Sequence, residues 1–102
     1  KYPLPTYPFE KVAIDLVGPL PITSANNRYI LGITDFLTRF LICVAIPNRE
    51  AITIVNALRT SVYSPFGCPK IILSDNAAEF SGHIFTDACK LYGIIAQKNM
   101  CL

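Results

Sequence analysis

The spacing of apolar residues changes after Pro47, and this change limits the possible fold more than any other feature of the sequence. Before Pro47, three short apolar segments end at turn residues, the pattern of consecutive β-strands: residues 12–17, 29–34 and 39–46. After Pro47, apolar residues across positions 51–62 recur at the intervals of one helical face. The sequence therefore predicts three strands followed by a helix.

Two further strands and a second helix follow. Residues 70–74 and 94–98 are short apolar runs, and Ser81 between them begins an amphipathic helix. The predicted inner face of that helix comprises Ile84, Phe85, Ala88, Leu91 and Tyr92. Short links favour antiparallel pairing of the first three strands, and helical crossovers favour parallel pairing of the later ones. The pattern predicts an α/β domain over residues 9–102, with a mixed five-stranded sheet, after an extended proline-rich arm at residues 1–8.

Composition and charge exclude several classes of protein. Hydrophobic residues make up 52% of the chain and charged residues only 16%, which excludes a disordered segment and indicates strands buried on both faces. The net charge is +2 and the basic residues are scattered, unlike the basic stripe of a non-specific nucleic-acid binder. Polar residues interrupt the longest apolar stretch, at positions 29–47, so we expect no membrane span, and we expect no signal peptide.

The cysteine and histidine content argues against a zinc module. None of the four cysteines has CxxC spacing, and three lie in or beside apolar segments. We therefore expect buried free thiols in a reducing compartment. The single histidine, His83, excludes a histidine-rich zinc site within these residues.

Two aspartates stand where a strand should be apolar. Asp15 interrupts the run 12–17, and a carboxylate buried there is unfavourable unless it is paired or binds a metal. Asp75 directly follows the fourth strand, at the end where α/β sheets bind ligands. If the two strands are neighbours, a divalent cation would relieve the repulsion between the carboxylates, and oxygen ligands favour Mg²⁺ or Mn²⁺. The structural alternative is that Asp15 pairs with a lysine or arginine and that Asp75 caps the next turn.

The segments around these acids are more specific than their spacing. Residues 12–20 (VAIDLVGPL), 29–40 (YILGITDFLTRF), 66–70 (FGCPK) and 72–80 (ILSDNAAEF) resemble the catalytic core of retrotransposon and retroviral integrases. The resemblance covers residues 9–102 and is strongest to the Gypsy and BEL-like groups. It implies a ribonuclease-H-like fold with strand order 3-2-1-4-5 and helices on both faces of the sheet. In that fold the first three strands are antiparallel, and the first, fourth and fifth are parallel.

The resemblance also implies a site and a reaction. The family holds two Mg²⁺ ions (or Mn²⁺) with an Asp, Asp, Glu triad, and by the matching segments Asp15 and Asp75 are the two catalytic, metal-binding aspartates. The implied reaction is phosphodiester hydrolysis or DNA strand transfer. Asn76, Glu79 and His83 are possible nucleic-acid contacts. The implied partners are the element's DNA ends, the target DNA and further copies of the protein, with no membrane and no small-molecule substrate, in an intracellular and specifically nuclear location.

The sequence departs from the family pattern in two places. The family's glutamate lies about 35 residues after the second aspartate, which is beyond Leu102, so the core is expected to be incomplete and this fragment inactive. Glu79 stands too close to Asp75 to replace it and is expected to be a solvated turn residue. Ala77 stands where the family usually has glycine, and a positive φ there would cost about 1 kcal/mol. Without a later helix, an apolar face around residues 94 and 95 is expected to stay open and to drive association.

Three functional hypotheses remain open at this point. The first is a truncated integrase core, and the second is a decayed or domesticated module that keeps the fold and binds DNA or protein without catalysis. The third is a different ribonuclease-H-like nuclease. The sequence that follows Leu102 would separate the first two, because a glutamate on a helix supports the enzyme and a stop codon supports decay. Outside the site, Asp35 is expected to cap a turn, and Arg39 and Lys98 are expected to be solvated, although both could meet phosphate.

Overall fold

The computed structural model of the protein describes residues 4–98. The strands are β1 (Lys11–Val17), β2 (Tyr29–Asp35), β3 (Leu41–Ile46), β4 (Ile71–Ser74) and β5 (Ile95–Lys98). The helices are α1 (Ala51–Leu58), which continues through a π-helical segment (Arg59–Tyr63) into α2 (Ser64–Phe66), then α3 (Ala78–Ser81) and α4 (His83–Leu91). The predicted succession of strands and helices is confirmed, with the short helix α3 added before α4.

The five strands form one sheet in the order β3-β2-β1-β4-β5, as the resemblance implied. β1 pairs antiparallel with β2, and β2 pairs antiparallel with β3. β4 is parallel to both β1 and β5. The predicted mixed sheet is therefore confirmed, and it places β1 and β4 side by side at its centre.

The helices pack on one face of this sheet. Alternate strand residues on that face join buried residues of α1 and α4 in a single core: Val12, Ile14, Leu31, Ile33 and Ile72 from the strands, and Ile54, Leu58, Phe85 and Cys89 from the helices. On the opposite face, Val17, Leu41 and Ile95 are 50%, 56% and 45% exposed. Within residues 4–98 the expectation of strands buried on both faces is therefore wrong for β1, β3 and β5, whereas in β4 the successive residues Ile71 and Ile72 are both buried. The expected open patch includes Ile95, but Ile94 is buried in the core.

The second long helix is rotated relative to its predicted orientation. Phe85 and Cys89 are its buried residues, whereas Ile84 and Leu91, predicted to face inward, are exposed. The reason is the edge-on packing of Phe85 against Phe80 of α3, with ring centroids 5.7 Å apart. That contact directs Phe85 and the residue one turn later toward the core.

Two expectations about the surface have mixed outcomes. Cys89 is a buried free thiol as predicted, but Cys43 and Cys68 are exposed, and Cys101 lies outside the described residues. They are exposed because Cys43 lies on the open face of edge strand β3 and Cys68 in the loop before β4. No helix in the described part of the chain is long and apolar enough to cross a bilayer.

A buried carboxylate ties the start of the domain to the β2–β3 hairpin. Asp35 is fully buried, and its Oδ1 accepts a hydrogen bond of 2.8 Å from the N–H of Phe9. Its Oδ2 accepts hydrogen bonds from the N–H and the hydroxyl of Thr38, at 3.0 and 2.6 Å. The predicted role of Asp35 as a turn cap is confirmed, and the contact with Phe9 extends it to the segment that precedes β1.

These hydrogen bonds determine the pKa of Asp35. Burial by itself would raise the pKa, but the bonds from the Thr38 side chain and from the N–H groups of Phe9 and Thr38 outweigh burial and lower it. The ionised form is therefore favoured in the folded state. Its stabilising contribution is complete above the unfolded pKa of about 3.9 and is lost as the pH falls through the lower folded value.

We predict that Asp35→Asn lowers the free energy of unfolding by about 2 kcal/mol near pH 7, because charge-assisted hydrogen bonds to a buried group are lost. The difference from the wild type should shrink as the pH falls below about 4. Urea denaturation at several pH values measures both effects. Asp87→Asn, at an exposed position of α4, is the control and should leave stability unchanged. A difference that stays constant with pH would show that the carboxylate charge is not involved.

Candidate metal centre

Asp15 lies on β1, on the open face of the sheet. Its neighbour Ile14 is buried against the helices, while Asp15 itself is exposed. The prediction that Asp15 lies in a strand buried on both faces is therefore wrong, because one face of β1 is uncovered in the described structure. The Asp15 Oδ1 accepts a hydrogen bond of 2.9 Å from the N–H of Leu16, which orients the carboxylate without neutralising it.

Asp75 lies immediately after β4 and is also exposed. Its Oδ1 accepts a hydrogen bond of 2.9 Å from the N–H of Ala77, so it forms the turn that leads into α3. This part of the structural alternative is confirmed. The other part is not, because neither Asp15 nor Asp75 belongs to an ion pair within residues 4–98.

The strand pairing sets the two aspartates at the same end of neighbouring strands. β1 and β4 are parallel, with Lys11 opposite Ile71 and Ala13 opposite Leu73. Continued by two residues, this register places Asp15 level with Asp75. Residues at level positions of adjacent strands have side chains on the same face. Asp15 thus lies on β1, and Asp75 directly follows the adjacent strand β4 at the same end of the sheet. That their carboxylates lie close enough to share an ion stays a prediction.

The carboxylates of Asp15 and Asp75 would supply part of the ligand set of a hard divalent cation. Both candidate ligands are exposed carboxylates, and Mg²⁺ prefers oxygen ligands, keeps several waters and is bound through one or two carboxylates plus substrate phosphates. No group of three or more His, Cys, Asp or Glu residues gathers at one point within the described range. Asp15 and Asp75 could therefore supply two ligands, with the remaining positions left for water and substrate.

The loop after Asp75 adopts a relaxed backbone. Ala77 has φ −57° and ψ 150°, an extended conformation open to any residue. The energetic penalty expected for alanine in place of glycine therefore does not arise. The carbonyl of Ala77 accepts hydrogen bonds from the N–H groups of Phe80 and Ser81, which starts α3 directly behind the loop.

Glu79 does not behave as a solvated turn residue. It lies in α3, where its Oε2 accepts a hydrogen bond of 2.8 Å from Nη2 of Arg49, and its side chain is only 7% exposed. The hydrogen bond and charge of Glu79 raise the pKa of the Arg49 guanidinium. Arg49 precedes α1, so the ion pair links α3 to a distant segment. The sequence offers no local pattern that could have identified Arg49.

The other predicted contact residues are accessible. Asn76 is exposed in the turn after Asp75. His83 is exposed at the first position of α4, and both His83 and Glu79 line an open groove of about 460 Å³. Arg39 is exposed, as expected, with its guanidinium 5.3 Å from the Phe36 ring centroid.

Lys98 differs from its expected solvated position. It ends β5 level with Ser74, and its Nζ donates hydrogen bonds to the Ser74 Oγ at 3.3 Å and to the carbonyl oxygen of Phe80. Burial lowers the pKa of Lys98, while the Cys89 thiol and the Asp75 carboxylate act in the opposite direction. Lys98 is thus a partly buried cation near the proposed metal ligand Asp75.

Comparison with known proteins identifies a family and a fold. The integrase core domain family matches residues 5–97. The retrovirus-related Pol polyprotein from transposon 412 of Drosophila melanogaster is 33% identical over 84% of this chain and 7% of the polyprotein. Gypsy retrotransposon integrase-like protein 1 of Bos taurus is 27% identical over 84% of this chain and 17% of its own length. The chain therefore spans less than a fifth of these curated relatives.

A solved structure supports the same architecture. One chain of the simian T-cell lymphotropic virus intasome, determined in complex with the PP2A regulatory subunit B56 gamma, matches with a TM-score of 0.79. The match covers 97% of this chain and 37% of that chain, at 14% identity. At this identity the likeness concerns the fold, which is ribonuclease-H-like.

We predict that the Arg49–Glu79 ion pair stabilises the segment between Asp75 and α4. Arg49→Glu and Glu79→Arg should each lower the melting temperature by roughly a few degrees, because each places like charges together and Glu79 is largely covered. The double exchange should recover most of the loss. A double variant as unstable as the sum of the single variants would show that the two side chains do not interact.

Proposed function

The chain belongs to the integrase core domain family, and we propose that it is the catalytic core of a mobile-element integrase that binds Mg²⁺ at Asp15 and Asp75 and acts on DNA phosphodiesters. The observation that most supports this proposal is the parallel β1–β4 pairing, which ends at Ala13 opposite Leu73. Continued by two residues, the same register would set two exposed aspartates level on one face of the sheet. The family membership supports the reaction class, and the register supports Asp15 and Asp75 as the side chains that would perform it.

The two aspartates would be held in different ways. Asp15 projects from β1, where its backbone is paired with Gly32 of β2, and the pairing of β1 with β4 ends two residues earlier, at Ala13 opposite Leu73. Asp75 is held by the turn that its own carboxylate forms with the N–H of Ala77. Their combined negative charge is unpaired by any ion pair within residues 4–98, which favours a cation between them. When bound, Mg²⁺ would activate the attacking water or 3′-hydroxyl and stabilise charge on the phosphate.

Substrate would approach from the open face. Asp15 and Asp75 are exposed there, so a DNA backbone can reach them without displacing a helix of the described structure. We propose Asn76 and His83 as candidate contacts to that DNA, because both are exposed and near the Asp75 loop in sequence. Glu79 is engaged by Arg49 and would act through the position of α3. Element ends and target DNA as partners, assembly of several copies and action in the nucleus complete the proposal.

The metal site is tested by calorimetric titration of the 102-residue chain with Mg²⁺ and Mn²⁺. We expect weak binding that Asp15→Asn and Asp75→Asn each weaken by roughly tenfold or more, because each removes a charged ligand. Asp87→Asn, an exposed aspartate on α4, is the matched control and should bind as the wild type does. Equal affinity for all four proteins would contradict the site.

We predict that this chain alone does not join DNA ends. No group of three or more His, Cys, Asp or Glu residues gathers within residues 4–98, whereas the triad that the family resemblance implies has three carboxylates. A strand-transfer assay with a labelled element end and Mg²⁺ measures this directly. A joined product that disappears in Asp75→Asn would show that the chain is catalytically complete.

The lack of a third clustered carboxylate within residues 4–98 also favours a second candidate function. With no group of three acids gathered in residues 4–98, the chain could be a non-catalytic module with the integrase fold that binds DNA or a protein. This candidate predicts that DNA binding is independent of Mg²⁺ and unaffected by Asp75→Asn. The integrase proposal predicts that Mg²⁺ increases DNA binding and that Asp75→Asn removes the increase.

A further inference from the structure

Lys98 connects the two ends of the segment that contains Asp75. It ends β5 directly beside Ser74 of β4, the residue before Asp75. Its ammonium donates one hydrogen bond to the Ser74 hydroxyl, at 3.3 Å, and another to the carbonyl oxygen of Phe80 in α3. Ser74 and Phe80 bracket residues 75–79, so a single side chain closes this short segment into a loop.

The surroundings restrict movement of the ammonium. Ser74 and Phe80 are 3% and 1% exposed, so both acceptors belong to residues fixed in the interior. The Lys98 Nζ also lies 5.7 Å from the ring centroid of Phe85, a cation–π contact, and Phe85 packs edge-on against Phe80. A partly buried cation with two hydrogen bonds and an aromatic contact has few alternative positions, which makes it an effective anchor.

We propose that Lys98 is a positioning residue that holds the Asp75 segment in the shape required for metal binding. The inference rests on the proposed function, because it assigns Lys98 a role at the Asp15–Asp75 site. A segment already ordered in its binding conformation loses less conformational entropy when the ion binds. Lys98 would supply this order from outside the ligand set, through Ser74 and Phe80 and without contacting the ion.

The positive charge of Lys98 and its anchoring hydrogen bonds have opposite effects on the affinity for a metal ion. This difference makes the proposal testable. An ammonium near Asp75 repels an incoming cation, so removal of the charge alone would tighten metal binding. Removal of the anchor would weaken it. The direction of the change therefore distinguishes a positioning residue from a simple neighbouring charge.

The experiment compares Lys98→Met with the wild type, since methionine keeps an unbranched apolar stem beside Phe85. Mn²⁺ binding is followed by electron paramagnetic resonance, and hydrogen exchange of residues 75–80 is measured without metal. We expect Mn²⁺ affinity to fall roughly tenfold and the amides of Ala77 and Phe80 to exchange faster. Lys90→Met, at an exposed position of α4, is the matched control and should change neither quantity.

Two further variants distinguish loss of the anchor from a change in folding or in charge. Ser74→Ala removes one acceptor and leaves the ammonium in place, so any loss of affinity cannot come from a change in charge. It should weaken Mn²⁺ binding by less than Lys98→Met, in the same direction. Lys98→Arg keeps the charge and the donors and should retain most of the wild-type affinity.

Unchanged or tighter Mn²⁺ binding by Lys98→Met would overturn the positioning role, provided that Asp75→Asn loses the ion. If Asp75→Asn binds Mn²⁺ as the wild type does, the proposed function fails, and the role of Lys98 fails with it. The Asp75→Asn result therefore separates the two failures.

Discussion

The parallel pairing of β1 with β4 is the contact on which the site depends. It places Asp15 on one central strand of the sheet and Asp75 directly after the neighbouring strand, although the two residues lie sixty positions apart in sequence. The register is fixed by burial, because Val12 and Ile72 are paired and both are completely buried beneath the helices. A slip of β1 by one residue would turn Asp15 into that core, where an unpaired carboxylate is strongly unfavourable. Hydrophobic packing on one face thus determines the position of the acids on the other.

The segment after β4 needs more support than a strand does. Helix α3 spans only Ala78–Ser81 and is too short to be stable by itself. Long-range polar contacts supply the support: Arg49 holds the carboxylate of Glu79, and Lys98 reaches the carbonyl of Phe80. The proposed site therefore combines one candidate ligand on a strand with a second candidate ligand in a short loop that is anchored from both sides.

Local patterns in the sequence predict the elements and the pairing but not the burial of each face. Alternation and helical spacing predict β1 and β4 correctly, and the segment around Asp75 predicts its place at a strand end. The exposure of Asp15 depends on which face of the sheet the helices cover. The sequence of a single strand does not show this. The contacts of Glu79 and Lys98 join residues 30 and 18 positions apart. Contacts between residues so far apart do not appear in the periodicity of the sequence. Sequence reasoning therefore predicts that both residues are solvated.

The most direct test of the metal site is anomalous diffraction from a crystal of this chain soaked in Mn²⁺. We expect an anomalous peak between the carboxylates of Asp15 and Asp75, with oxygens of both residues as direct ligands of the ion. The same soak with Asp75→Asn crystals should give no peak at that position. Carboxylates that point apart with no ion between them at saturating Mn²⁺, or an ion bound elsewhere on the chain, would contradict a metal site at Asp15 and Asp75.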